Sequence, residues 1–159
     1  LIGVCVLLTG FDNARNDAEY LLEQRTNLFK LLQYGELTQK AAQKQLYEIE
    51  TGQQLEADLG YVENFSDTEI CRVEDMYIKE LERTVSKSGY EVYSAVIDWR
   101  FEKGLYESIR YTVVIKKTGE KCKIAGRCNV VDAGIAGKKM VCTYFLRCSF
   151  NDIGCVDFI

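Results

Sequence analysis

Asp98 and two tyrosines come closest to forming a catalytic set in this sequence. Asp98 lies in an apolar stretch beside Val96 and Trp99, and an apolar wall raises the pKa of a carboxyl group. Such a carboxylate acts as a general base near neutral pH, and Tyr111 or Tyr93 could donate a hydrogen bond to a developing oxyanion. The set predicts a small isomerase or dehydratase with an enclosed pocket.

A second interpretation of Asp98 follows from its position in a predicted strand. Alternation places Asp98 on the face that carries Arg100, opposite Trp99. Asp98 would then be an exposed carboxylate beside Arg100 or Arg110. The sequence also contains no histidine, which excludes Ser-His-Asp, Cys-His and histidine-based metal sites.

Acidic and cysteine residues show no metal-ligand spacing. The acidic residues between positions 63 and 75 could bind a hard cation such as Ca²⁺, or they could lie in a solvent-exposed loop. They lack the glycine-punctuated pattern of a calcium-binding loop. Five of the seven cysteines follow residue 121. No two cysteines are separated by two residues, which is the spacing of a zinc knuckle. Cys142 or Cys148 could form a disulfide with Cys122 or Cys128 in an exported chain, and buried thiols are the alternative. We expect no metal and no cofactor.

A sheet is predicted from the alternation of apolar and polar residues between positions 78 and 131. Residues 90–101 and 105–117 form a central hairpin rich in β-branched and aromatic residues, and residues 78–85 and 122–131 flank it. One face is predicted to be the core: Tyr93, Ala95, Ile97, Trp99, Ile109, Tyr111, Val113 and Ile115. The opposite face is predicted to be wet: Ser94, Asp98, Arg100, Arg110, Thr112 and Lys116.

Helices are predicted before this sheet. The first has an apolar stripe from Ala14 to Leu32, an N-cap at Asp12 or Asn13, and an end at Gly35. A second is capped by Thr38 and continues through residues 42–59, with Gly52 ending or kinking it. A loop then leads to a strand that begins near Arg72.

The two ends of the chain differ from this central domain, which is predicted to span residues 12–131. Residues 1–11 are apolar and match the core of a secretory leader or a membrane anchor, whereas a buried strand is the alternative interpretation. Residues 132–159 form a cysteine-rich extension, in which residues 140–150 are predicted to supply a fifth strand.

Charge is distributed unevenly along the chain. The net charge is −4, and residues 1–85 contain 16 Asp and Glu but only 8 Lys and Arg. Because phosphate binding needs clustered basic residues, this half is not expected to bind nucleic acid. The second half is modestly basic and offers a docking face on the sheet.

Helices followed by a four- to five-stranded antiparallel meander give an α+β fold, with the helices covering one sheet face. This order, together with strands such as residues 90–99 (YEVYSAVIDW), resembles the nuclear transport factor 2-like and cystatin-like rolls. The resemblance implies a roll with an internal cavity and an extracytoplasmic domain tethered by one N-terminal apolar segment. It implies a fold rather than an activity.

The main functional expectation is a non-catalytic binding or assembly module that is extracytoplasmic and either membrane-associated or secreted. Tyrosine, tryptophan and a few positive charges on the sheet suit contact with a protein partner, while the cavity of a roll suits a small apolar ligand. The residues expected to bind are Arg100, Arg110, Thr112 and Lys116. The isomerase or dehydratase based on Asp98 is the alternative.

Overall fold

Three helices precede an antiparallel sheet in the computed structural model, which describes residues 5–66, 71–131 and 139–141. The helices are α1 (Cys5–Gln33), α2 (Gln39–Ile49) and α3 (Gly52–Glu63). The strands are β1 (Val73–Lys87), β2 (Tyr90–Phe101), β3 (Tyr106–Thr118), β4 (Lys121–Val131) and β5 (Lys139–Val141). The helices lie on one face of the sheet, so the predicted α+β class is confirmed.

Helix boundaries follow from local sequence chemistry. Thr38 accepts a hydrogen bond from Ala41 N at 3.2 Å, which confirms the predicted N-cap. Gly52 has a φ of 59°, a left-handed conformation that separates α2 from α3. The third helix extends to Glu63, three residues beyond Gly60, where the helical turn after Gly52 was predicted to end.

The first helix begins before the predicted cap at Asp12. Since α1 starts at Cys5, the interpretation of the apolar residues as a buried strand is wrong for residues 5–11. The leader or anchor interpretation stays a prediction. Among the described residues, no helix has both the length and the apolar character needed to cross a membrane.

The strands form a meander in which each strand pairs with its neighbours in sequence, in the order β1-β2-β3-β4-β5. All pairings are antiparallel. The central hairpin lies where alternation predicted it. β1 begins at Val73, which confirms the predicted start near Arg72, and it runs through residues 78–85 to Lys87. Lys139–Val141 pair with β4, and two of these residues, Met140 and Val141, belong to the predicted fifth strand. Residues 142–150 lie outside the described part of the chain.

The pairing of β1 with β2 is irregular. The register between β1 and β2 shifts at three places, between Val73 and Asp75, Ile78 and Glu80, and Arg83 and Val85. Each shift is a β-bulge, in which an extra residue increases the local twist of the strand.

The core lies between the helices and the inner face of the sheet. Seven of the eight residues predicted for this face are at most 1% exposed, and Ile109 packs partly buried against them. The α1 residues Ala18, Leu21 and Leu22 pack against this face. A second apolar cluster joins the three helices through residues such as Phe29, Leu46 and Val62. The predicted core face is therefore confirmed.

The opposite face of the sheet, here called the outer face, is the wetter one. Arg100, Arg110 and Lys116 are exposed, and Asp98 and Thr112 are half-buried. Ser94 is also half-buried. This distribution agrees with the predicted register, because a shift by one residue would exchange the two faces.

Truncating Trp99 to alanine should lower the free energy of unfolding by about 3 to 5 kcal/mol. Trp99 is fully buried, and its Nε1 donates to Tyr111 Oη at 3.0 Å, so the change leaves a cavity and an unpaired hydroxyl. Urea denaturation measures the loss. Tyr77→Ala, on the exposed outer face, serves as the control and should change stability by less than about 0.5 kcal/mol. Equal losses in the two variants would contradict the assigned register.

Candidate functional site

A group of charged side chains is buried between the helices and the sheet. Arg25 Nε donates to Glu50 Oε1 at 2.9 Å and to Asp58 Oδ2 at 2.6 Å. Gln54 Nε2 donates to the same Asp58 oxygen at 3.1 Å, and the Arg25 guanidinium lies 4.6 Å from the centre of the Phe29 ring. Arg25, Glu50 and Asp58 are at most 3% exposed. A charge at such depth is stable only when it is paired.

Backbone geometry at the junction of α2 and α3 brings Glu50 to Arg25. Glu50 caps the end of α2, with its N–H bonded to Leu46 O at 2.8 Å. The next residue, Thr51, donates from its N–H to Ile124 O at 2.9 Å, which fixes the junction to β4. Gly52 allows the chain to turn into α3. Asp58 then follows on α3 and reaches Arg25 from a second direction.

The two carboxyl groups have different pKa values. Burial raises the pKa of Glu50 to about 9, against the lowering effect of Arg25, and the Asp58 carboxylate raises it further. Burial alone would raise the pKa of Asp58, but Arg25 and a hydrogen bond from Gln54 contribute to a net lowering. At neutral pH, Asp58 therefore balances the charge of Arg25, and Glu50 holds a proton.

Arg127 of β4 completes this group, and Arg25, Glu50, Asp58 and Arg127 are together called the ionic cluster. The Arg127 guanidinium lies 4.8 Å from the centre of the Tyr111 ring, where cation–π attraction stabilises it. Burial, together with Arg25, lowers the pKa of Arg127 to about 10. The predicted site residue Tyr111 thus lies in the core, with its pKa raised by burial.

Tyr93, the other predicted oxyanion donor, is engaged elsewhere on the inner face. Its hydroxyl donates to Glu91 Oε2 at 2.7 Å, and burial and this carboxylate raise the pKa of Tyr93. Glu91 also pairs with Arg83 at 2.8 Å and with Lys117 at 3.1 Å. The Tyr93 hydroxyl is therefore part of a structural ion-pair group.

The structure does not bring Asp98 together with Tyr93 or Tyr111. Asp98 lies on the outer face, whereas both tyrosines lie on the inner face. Hydrogen bonds from Ser108 and Tyr106 lower the pKa of Asp98, so the expected rise is wrong. The reason is the register: Trp99, the apolar wall invoked for that rise, points to the opposite side of β2.

A patch of exposed residues surrounds Asp98 at one end of the outer face. Tyr77 is directly opposite Asp98 on β1, and Tyr106 is opposite Arg100 on β3. The two tyrosines are 68% and 65% exposed. We call Tyr77, Asp98, Arg100 and Tyr106 the outer patch. Aromatic residues and arginine are the types enriched in protein contacts.

Three of the residues expected to bind lie further along β3 on the same face. Arg110 pairs with Glu80 at 3.1 Å and also donates to Ser94 Oγ at 3.1 Å. Lys116 is exposed, and Thr112 is half-buried. These residues share the outer face with Arg100 but are not part of the outer patch.

A cleft of about 300 Å³ opens at the end of α1, away from the sheet faces. Its walls are the end of α1, the α1–α2 connection, the first residue of α2, Phe65 and the residue before β1. The lining residues are Leu32, Gln33, Tyr34, Gly35, Leu37, Gln39, Phe65 and Arg72. Within the described ranges, no group of three or more Cys, Asp or Glu side chains is placed to hold a metal ion. Asp67 and Glu69 of the acidic group, and the cysteines at 142 and 148, fall outside those ranges.

No model of a known protein family matches this sequence, and no curated protein is significantly similar to it.

The ionic cluster was missed at the level of sequence, although one signal for it was present. Arg25 interrupts the apolar stripe of α1, since it lies four residues after Leu21 and four before Phe29. Those positions face the core. A charge there indicates a buried partner, but the sequence does not say which of the many carboxylates it is.

The free energy of unfolding should fall as the pH rises from 4.5 to about 9 because of Glu50. The pKa of Glu50 in the folded protein lies above its usual value. The contribution of Glu50 to the free energy of unfolding is therefore complete below the pKa of the unfolded chain, and it is lost as the pH rises towards the pKa of the folded protein. Glu50→Gln keeps a neutral side chain at all pH values and should flatten this dependence. Urea denaturation across the pH range measures both slopes.

Glu48→Gln is the matched control for this experiment. Glu48 lies on the same helix but is exposed. The Glu48→Gln variant should therefore show the same pH dependence of stability as the parent protein. Identical slopes for the parent and Glu50→Gln would show that Glu50 is ionised in the folded protein.

Proposed function

We propose that this protein is a non-catalytic binding or assembly module that docks a protein partner on the outer face of its sheet. The observation that carries this proposal is the outer patch, where two tyrosines with about two-thirds of their surface exposed flank Asp98 and Arg100. Large aromatic side chains bury much surface in a contact and lose little conformational entropy when they become ordered there. Three of the four patch residues stand on a hairpin whose other face is the packed core.

The filling of the inner face also supports docking on the outer face. Trp99, Tyr111 and the ionic cluster occupy the space between helices and sheet, and all are buried. A partner meets the outer face without disturbing this packing. The small apolar ligand considered for the cavity of the roll gains no comparable support, and neither does the enzyme based on Asp98.

Charge on the outer face is arranged for a specific contact. Arg100 pairs with Glu74 at 3.3 Å and Asp75 at 3.5 Å, and Arg110 pairs with Glu80 at 3.1 Å. These exposed pairs contribute little to folding stability. At an interface, such pairs restrict which surface can approach, because a mismatched charge is penalised.

We further propose that the domain works at the extracytoplasmic side of a membrane, tethered by its N-terminal segment. The apolar composition of residues 1–11 supports the tether. The order of helices before an antiparallel meander supports the likeness to nuclear transport factor 2-like and cystatin-like rolls.

Affinity capture with the full 159-residue chain tests the docking surface. Membrane extracts of the cells that express the protein are the source of partners, and quantitative mass spectrometry is the measurement. The double variant Tyr77→Ser/Tyr106→Ser should recover at least about tenfold less partner, because hot-spot residues contribute 2 kcal/mol or more. Arg100→Ser/Arg110→Ser should weaken capture while the melting temperature stays nearly unchanged.

Tyr20→Ser/Tyr47→Ser is the matched control. These tyrosines are 58% and 55% exposed on the helices, so their loss removes a similar apolar area from the opposite side of the domain. Partner capture by this control should equal that of the parent protein. Equal recovery by both tyrosine double variants, or no partner enriched above empty beads, would contradict the proposal.

A further inference from the structure

Asp98 stands apart from the other charges of the outer patch. Arg100 is matched by two carboxylates, Glu74 and Asp75. Asp98, in contrast, forms no ion pair with a basic side chain of the described ranges. Its carboxylate is held by hydroxyl groups of Ser108 and Tyr106. A negative charge without a positive partner therefore lies at the centre of the patch.

The geometry leaves one oxygen of this carboxylate for a further donor. Asp98 Oδ1 is enclosed by its neighbours and accepts no hydrogen bond from the described residues. The hydroxyl donors Ser108 and Tyr106 are therefore assigned to Oδ2. An enclosed acceptor without a donor is costly, and the ring of Tyr77 lies on the opposite strand. Both flanking tyrosines are mostly exposed, so the carboxylate lies among side chains that a partner can contact.

We propose that Asp98, Tyr77 and Tyr106 bind the ammonium group of a lysine side chain from the protein partner. This inference rests on the proposed function of the outer face and names the chemistry that the partner presents there. The ammonium pairs with Asp98 Oδ1, and the tyrosine rings contact its charge through cation–π attraction.

Lysine fits this position better than arginine. A guanidinium binds a carboxylate through a planar fork that uses both oxygens, whereas an ammonium is a compact point charge that one oxygen can accept. Since Oδ2 is assigned to Ser108 and Tyr106, one oxygen is left. Two cations lie nearby: Arg100 is neutralised by its own carboxylates, and Lys79 lowers the pKa of Asp98 from a distance.

A direct titration tests cation recognition in the full chain. n-Butylammonium stands in for the lysine side chain, n-butanol is its neutral counterpart, and NMR chemical shifts are the measurement. We expect butylammonium to shift resonances of Tyr77, Asp98 and Tyr106, and butanol to leave them in place. Asp98→Asn should weaken binding about fivefold or more.

Glu82→Gln is the control in this titration. Glu82 is an exposed carboxylate on the outer face, on β1. Glu82→Gln therefore changes the net charge by the same amount as Asp98→Asn but leaves Asp98, Tyr77 and Tyr106 unaltered. Binding by Glu82→Gln should match the parent protein. Equal shifts with butanol, no shifts at the patch, or equal weakening in Glu82→Gln and Asp98→Asn would overturn the proposal.

Zero-length carbodiimide cross-linking of the captured complex separates this inference from the proposed function. The reagent joins a carboxylate to a contacting lysine, so a cross-link between Asp98 and a partner lysine is expected. If capture depends on Tyr77 and Tyr106 but Asp98→Asn binds the partner normally and forms no fewer cross-links, the lysine inference fails and the docking surface stands. If no partner is captured but the titration gives the expected shifts, the cation site stands and the proposed function fails.

Discussion

The contact between Arg25 and the two carboxyl groups of Glu50 and Asp58 determines how the helices are joined to each other and to the sheet. It links α1 to the α2–α3 junction and to α3, and the Thr51 backbone fixes that junction to β4. Burying charges has a large desolvation cost, which only close pairing and hydrogen bonding offset. Because alternative helix arrangements would leave a charge unpaired, the cluster favours one arrangement.

This constraint separates the two faces of the sheet by role. On the inner face, large side chains such as Trp99 and Tyr111 fill the space that the helices enclose, and their polar atoms bond to one another. The exposed residues of the outer face do not pack against the helices, so core packing does not restrict which residue types occupy these positions. The half-buried carboxylate of Asp98 lies between exposed tyrosines on this face and is not part of the core.

Much of this architecture could be predicted from local patterns. Alternation located β2 and β3 and correctly assigned Trp99 to the core and Arg100 to the outer face, because the side-chain period of a strand is fixed by its geometry. Thr38 and Gly52 marked helix ends through their own local chemistry. Such features depend only on near neighbours in sequence.

The ionic cluster and the environment of Asp98 depend on distant residues, and there prediction failed. Arg25 meets Glu50 and Asp58 across 25 and 33 positions of sequence, which no periodicity encodes. The pKa of Asp98 is governed by hydroxyls on the neighbouring strand, whereas its neighbours in sequence suggested an apolar wall. Adjacent residues in a strand point to opposite sides, so sequence proximity is a poor guide to chemical surroundings.

The three bulges of β1 have a consequence for how other chains can approach. Among the described strands β1 pairs with β2 alone, and a regular outermost strand offers its unpaired amide and carbonyl groups as a template for another strand. The bulges at Glu74, Lys79 and Thr84 break that template into short pieces, and the charge of Lys79 opposes its pairing with an incoming apolar segment. Strand addition and fibre growth along this border are therefore disfavoured. Association through side chains remains open, so recognition can depend on residue identity where main-chain pairing would accept almost any sequence.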